Sequence, residues 1–355
     1  MINKFLPGML EENRVTLAYL ITGIIGSREV QFRQVANKVV YPGKETSLVE
    51  RFRRFIRNQN IVVKVEFNPF VSLILASLSR SRLVLAVDST KVGGGCLCLM
   101  VSVVYKSRAL PLCWVVFKGR KGHSSAEIQL ALMESLQALL PPDPAVIILG
   151  DGEFDGSELL AWFEQQPTWR YVCRTAQRLL VYYQAQWLAL ADLALDEGEE
   201  AFLTDLIFTQ TGQVGPLNIL VIWHEKEKEH WFFVTNFTDL EQAKKWYHQR
   251  FSIETLFSDV KGRGFHLDRT RLWKPERLNR LIFAVAIAYL FTVFWGVELI
   301  RHGPFDRLFR TDRFYHSLFQ LGLSHLYHLL KFCLPIPELS ALPPPASFEH
   351  VVLAC

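Results

Sequence analysis

The segment LVLAVDST, residues 83–90, decides how the chain is read. Its apolar run has the composition of a buried strand, and Asp88 is expected at the strand's end. Two further strand-like runs follow at once: GCLCLMVSVVY at 95–105, entered through a Gly93-Gly94-Gly95 turn, and LPLCWVVF at 110–117. Three short runs so closely spaced read as a meander of two hairpins. Residues 124–140 open on SSAE, which supplies a helix N-cap. They lead to AVIIL at 145–149, a buried-type strand ending in Gly150-Asp151. A helix near 157–165 and the strand RYVCRT at 170–175 complete the series.

The order is strand, strand, strand, helix, strand, helix, strand. This is the skeleton of an RNase H-like α/β domain, whose mixed five-stranded sheet sets the first and fourth strands side by side. Asp88 and Asp151 would then meet at one sheet edge. An aspartate after a strand is ordinarily a turn residue, so the convergence, and not either residue alone, carries the reading. A helix returning after the fifth strand would bring a third carboxylate beside them.

That helix is read in YHQRFSIETLFSDVK, residues 247–261. At about 100° per residue, Tyr247, Arg250, Glu254 and Lys261 share a narrow stripe beside an apolar face of Trp246, Ile253, Leu256, Phe257 and Val260. A carboxylate at a core's edge with cations before and after it suits an active site; a solvated face with i,i+4 pairs is the plainer alternative. Between the fifth strand and this helix, the runs LLVYYQ, AFLTDLIFTQ, LNILVIWHE and HWFFVTNF have strand composition and read as an inserted sheet. The last two flank a charged turn at residues 226–229, as a hairpin would.

Upstream, the first 80 residues read as short helices: one over 15–25, one over 29–39, and a third from Thr46 or Ser47 after the Tyr41-Pro42-Gly43 break. The first 60 residues hold twice as many Lys and Arg as Asp and Glu. The third helix carries Arg51, Arg53, Arg54 and Arg57, and Arg51 and Arg54 are its phosphate-contact candidates. Arginines that merely face water are the alternative. Downstream, residues 281–300 are long and apolar enough to span a bilayer. Glu298 interrupts them and no second span exists, so a buried core helix is expected, with no membrane partner. Another helix is expected near 315–333, before a Pro-rich tail. Its His325 and His328 lack a third ligand type and read as structural.

The composition fits a large folded core: 355 residues, half of them apolar, and a formal net charge of +4. Disorder is excluded as the main state, and any nucleic-acid surface must come from local clustering. The six cysteines show no CxxC spacing, and no secretion signal opens the chain; both point to a reduced, cytosolic protein.

These residues resemble the DDE transposases of bacterial insertion sequences, specifically the insertion-sequence-four group with its Tyr-Arg-Glu-Lys signature. The signature stands as Tyr247, Arg250, Glu254 and Lys261, with two, three and six residues between. Asp88 in AVDST and Asp151 in LGDGEFD match the family's aspartates, and the β insertion and helical N-terminal region are group traits. The resemblance covers about residues 45–300. Asp151-Gly152-Glu153 is a looser match than the Asp-Arg of many relatives. Its implications are a catalytic, metal-holding trio of Asp88, Asp151 and Glu254, with two Mg2+ ions for which Mn2+ can substitute. Cleavage at transposon ends and joining to target DNA, by cut-and-paste, is the implied reaction, in a homodimer on double-stranded DNA in the bacterial cytoplasm. Tyr247, Arg250 and Lys261 are assigned to end DNA, and Arg108, Lys118, Arg120, Lys121, Arg263, Arg269 and Arg271 could extend that track. Relatives that cut through a DNA hairpin stack a tryptophan on a flipped base, which nominates Trp231; Trp223 and Phe233 fit nearly as well, and a core role is the alternative. A DNA-end binding protein without cleavage, and a nuclease of the same fold, are the competing functions. The expected organisation is a helical DNA-binding region at 1–80, the core at 81–175 and 239–300, the insertion at 176–238, and a helical region with the tail at 301–355.

Overall fold

The computed structural model describes residues 2–78, 82–193, 195–223, 229–302 and 316–336. The charged turn at 226–229, apart from Glu229, and nearly all of the Pro-rich tail lie outside them. Strands β1 (Leu83–Gly93), β2 (Cys96–Tyr105), β3 (Arg108–Lys118), β4 (Val146–Gly150) and β5 (Trp169–Thr175) form the core series. Beyond them come β6 (Leu180–Tyr183), β7 (Gln186–Ala189), β8 (Glu200–Phe208), β9 (Val214–Ile222) and β10 (Trp231–Thr235). All ten make one sheet in the order β3-β2-β1-β4-β5-β10-β9-β8-β6-β7. β1 pairs antiparallel with β2 and parallel with β4, and β4 pairs parallel with β5.

Two expectations change here. The insertion is not a sheet of its own, because β10 pairs antiparallel with β5 from Phe232↔Thr175 to Thr235↔Val172. A buried strand such as β5 cannot leave its N–H and C=O groups unpaired, and β10 satisfies them. Asp88 also does not end its strand: β1 continues to Gly93 on its pairing with β2, so Asp88 lies mid-strand. What ends near Asp88 is the parallel pairing with β4.

Eleven α-helices lie among the described residues. Five precede the sheet: α1 (Ile2–Phe5), α2 (Glu11–Ser27), α3 (Phe32–Ala36), α4 (Glu45–Arg57) and α5 (Val63–Leu78). Two connect core strands, α6 (Ala126–Gln137) and α7 (Ser157–Glu164), and Ser125 caps α6 by accepting from the Ile128 N–H. After the insertion come α8 (Leu240–Tyr247), α9 (Ser252–Val260), α10 (Pro275–His302) and α11 (Leu318–Lys331).

The apolar α10 is almost wholly enclosed, packed against α2, α4, α5, α11 and β3, so its hydrophobicity serves the interior. Gly296 of α10 and Gly322 of α11 let the two backbones meet, since a Cβ on either would run into the other helix's carbonyls at Leu318 or Thr292. Through this helix the N-terminal helices and the core strands share one apolar cluster, from Leu17 and Phe52 to Leu85, Ile148 and Phe283. His325 is buried with its ring edge-on to Trp295, as a structural histidine.

One buried ion pair ties α9 to the sheet. Arg108 at the start of β3 donates to Asp259 Oδ2 at 3.0 Å, and each side chain is only 1% exposed. Arg108 is therefore a core residue and not part of a DNA track. Burial pushes the Asp259 carboxyl up to about 6, against the pull of Arg108 and Arg263. Removing one partner from such a pair leaves an uncompensated buried charge. Asp259→Ala is expected to destabilise the fold by about 3–5 kcal/mol in urea unfolding. The double replacement Arg108→Met with Asp259→Leu should recover most of that loss; equal loss in both would assign the effect to packing.

Candidate active site

The β1–β4 register builds the centre of the site. It runs from Leu83↔Val146 to Val87↔Gly150, and one further step brings Asp88 beside Asp151. Neighbouring strands lie about 4.8 Å apart, and residues in register point to the same face. On that face the preceding pair Val84 and Ile147, with Leu149, packs with Ala243 and Tyr247 of α8. The segment carrying Glu254 therefore covers the face from which both aspartates emerge.

That segment is not the single helix expected from its periodicity. α8 is capped by Asp239, whose carboxylate accepts from the Glu241 and Gln242 N–H groups at 2.8 and 3.2 Å. It tightens into a 3-10 turn over His248–Phe251, resumes as α9, and ends at Val260. Lys261 caps α9 in a non-helical conformation, where its carbonyl accepts from the Gly264 and His266 N–H groups. The stripe is broken, but its residues still reach one site. Arg250 lies in the 3-10 turn, with Nη2 donating to Glu254 Oε1 at 2.6 Å and Nη1 3.9 Å from Asp88 Oδ2. Lys261 donates to the Thr90 hydroxyl, two residues beyond Asp88 on β1. Burial lowers the pKa of its ammonium group.

Asp88 is 2% exposed. Burial first, and the neighbouring Asp151 carboxylate second, push its carboxyl up to about 6; Lys121 at 3.8 Å, the Ser89 N–H at 2.6 Å and Arg250 oppose that shift. Glu254 is half exposed and held by Arg250. Among the described residues, no three His, Cys, Asp or Glu side chains form a ready-made metal cage. The donors nevertheless suit a hard divalent cation, because Asp88 and Asp151 are carboxylates whose mutual repulsion a cation would relieve.

Other nominated residues are placed differently. Tyr247 is buried against Phe233, with ring centroids 4.4 Å apart, and its hydroxyl is pushed up to about 12 by burial. The Arg250 guanidinium lies 5.7 Å from its ring, so Tyr247 braces Arg250 from within the core. Trp231 is half-buried at the start of β10, with Arg174 stacked 4.9 Å over its ring. Arg51 donates to the Thr16 hydroxyl at 3.1 Å and to the Glu12 carbonyl, pinning α4 to α2. Arg54 is exposed on α4. Arg269 pairs with Glu29 at 3.1 Å.

Glu153 was missed as a site residue. Its carboxylate accepts from the Ser89 hydroxyl at 2.7 Å and the Ser124 N–H at 2.8 Å. Its own N–H donates to Asp151 Oδ1 at 3.0 Å, and its carbonyl accepts from Gln129 at 2.8 Å. Glu153 thereby braces the residue after Asp88 against the loop that carries Asp151. The looser Asp-Gly-Glu match was the available signal.

The raised Asp88 pKa has a stability consequence. The folded value lies above the unfolded one, so folding takes up a proton between them, and stability is lost as pH rises towards about 6. Asp88→Asn removes that cost. In chelator, the variant should melt a few degrees above the parent at pH 8, with the gain fading below about pH 4. A gain independent of pH would contradict this electrostatic account.

The whole fold resembles a solved structure of piggyBac transposase in a synaptic complex with hairpin DNA. That match has a TM-score of 0.51 and 13% identity, covers 93% of this chain and 74% of that one, and shows a shared RNase H-like fold. No curated protein matches the sequence. Residues 79–291 match the family model described as Transposase DDE domain, and this stretch takes in Asp88, Asp151 and Glu254. Since it spans more than half of the chain, the protein belongs to the DDE-domain transposase family.

Proposed function

We propose that the protein is a DNA transposase of the insertion-sequence-four group that cleaves phosphodiester bonds at transposon ends and joins them to target DNA. The observation that carries this reading is the position of Arg250. It reaches both Asp88 and Glu254, while Asp151 acts electrostatically on Asp88. Three carboxylates from distant parts of the chain thus share one electrostatic neighbourhood, on one side of a sheet that belongs to a DDE family. The intact Tyr-Arg-Glu-Lys spacing supports the finer group assignment.

Asp88, Asp151 and Glu254 would hold the divalent ions. When bound, a pair of such ions activates the attacking water or 3′-hydroxyl and stabilises the leaving oxygen. The chain's own contribution is positioning. Arg250 and Lys261 are placed to neutralise the phosphate beside the scissile bond, with charge-assisted hydrogen bonds that strengthen in a buried site. Lys121, exposed beside Asp88, can meet the next phosphate. Trp231 lies behind Arg174, and a base-stacking role for it would require that guanidinium to move or to stack with the base.

The test uses labelled DNA from the flanks of the gene, with and without Mg2+. Asp88→Ala, Asp151→Ala and Glu254→Ala should each reduce cleavage to background while retaining end binding. More than a few per cent residual activity in any of them would remove that residue from the trio. Strand transfer into a second DNA distinguishes a transposase from a nuclease of the same fold, and binding without cleavage by the unmodified protein would favour an end-binding relative.

Arg250→Ala and Lys261→Ala should weaken binding as well as cleavage and flatten its salt dependence, since each is assigned a phosphate. An unchanged salt slope in both would assign these residues to holding the site together.

A further inference from the structure

A concentration of cationic side chains lies outside the carboxylate site. A cleft of about 410 Å3 opens between α3, α4, the segment 270–272 and the start of α10. Arg33, Arg53, Arg57, Arg271 and Arg277 line it, and no acidic residue does. Arg53 pairs with Glu50 on its own helix. The side chains of the other four make no ion pair or hydrogen bond among the described residues. Like charges gathered in one concavity repel one another unless an anion is drawn between them, and arginine forks suit phosphate oxygens.

The cleft walls are fixed before any ligand arrives. Arg280 of α10 is buried and donates to the Ile56 carbonyl of α4 and to the Ile61 carbonyl just beyond it, at 3.3 Å each. Arg269 pairs with Glu29, which holds the 270–272 segment against the entry to α3. On α4, Arg53 and Arg57 stand one turn apart and face the cleft, whereas Arg51 is committed to α2. The basic N-terminal helix therefore offers a different pair of arginines from Arg51 and Arg54.

More cationic surface lies towards the carboxylates. Trp273, the next residue after segment 270–272, is exposed and packs on the turn at Gly94, where an added Cβ would run into its backbone. That glycine turn lines a second groove with Lys91, Arg120, Lys121 and one acid, Asp268, and Lys121 stands 3.8 Å from Asp88. Surfaces on which cations outnumber acids thus lie on both sides of Trp273, one towards Asp88 and one at the five arginines. A single small anion would need only one of them.

We propose that the five-arginine cleft is a second phosphate-binding surface, which grips the sugar–phosphate backbone of duplex DNA at a distance from the carboxylates. The inference rests on the transposase reading for the identity of the DNA. The cleft fixes the direction in which the duplex leaves the active site, and it reads no base sequence. Affinity should rise when the duplex is long enough to reach it.

The test measures binding of the full chain to a short and a long duplex over a range of salt. Arg33→Ala with Arg57→Ala should lower affinity for the long duplex at least tenfold and make its salt slope shallower by about 0.9 for each arginine removed. Binding to the short duplex should change little. Arg33→Gln with Arg57→Gln repeats the measurement in a variant that keeps side-chain bulk, and thermal unfolding of the free protein checks that both are folded. A parental slope and affinity on the long duplex in both double variants would overturn the cleft. The length-dependent loss supports it even if the parent protein cuts no DNA, whereas cleavage by the parent with no such loss overturns the cleft alone.

Discussion

Parallel pairing between β1 and β4 sets Asp88 and Asp151 one step beyond Val87 and Gly150, on the same face of the sheet. Two carboxylates so placed, one of them almost fully buried, are costly to fold, and the raised Asp88 pKa records that cost. The rest of the site answers the same constraint. Arg250, Lys121 and Lys261 come from three separate segments and converge around β1 beside Asp88. Glu153 joins the residue after Asp88 to the loop of Asp151, so the two acids cannot drift apart.

The helical segment above the aspartates needs an anchor as firm as the sheet. At one end Tyr247 packs on Phe233; at the other Asp259 is paired with Arg108 in the core. Between these anchors the chain tightens into a 3-10 turn at Arg250, which directs its guanidinium downward to Asp88 while Glu254 stays half exposed. Arg250 thus lies between a carboxylate on the solvent side, Glu254, and the buried Asp88 on the sheet side. The enclosed α10 then joins this assembly to the N-terminal helices, which is how the arginine cleft on α3, α4 and the start of α10 is fixed relative to the sheet.

Much of this was legible in the sequence because it follows from local patterns. The strand runs gave the core series, and the spacing of Arg250 and Glu254 gave their contact, since residues four apart meet even when the winding changes nearby. What was not legible depends on pairing between distant segments. Whether the insertion extends the first sheet or forms its own is decided by the open edge of β5, and composition does not show an edge. Arg108 reads as a surface cation at the tip of a hairpin until Asp259 is known to face it. Arg51 likewise looked available until Thr16 was placed opposite. The break in the helix before Lys261 left no clear mark, although the following Gly262-Arg263-Gly264 is consistent with a sharp turn.

The proposed trio of Asp88, Asp151 and Glu254 would hold divalent ions together. Fe2+ placed in the site with ascorbate and peroxide cuts the nearby polypeptide, so mapping the fragments tests it directly, with no need for DNA cleavage. The account predicts cuts near residues 88, 151 and 254 that excess Mg2+ suppresses together and that Asp88→Asn weakens at all three. Cuts near 88 and 151 with none near 254, or cuts indifferent to Mg2+, would contradict it.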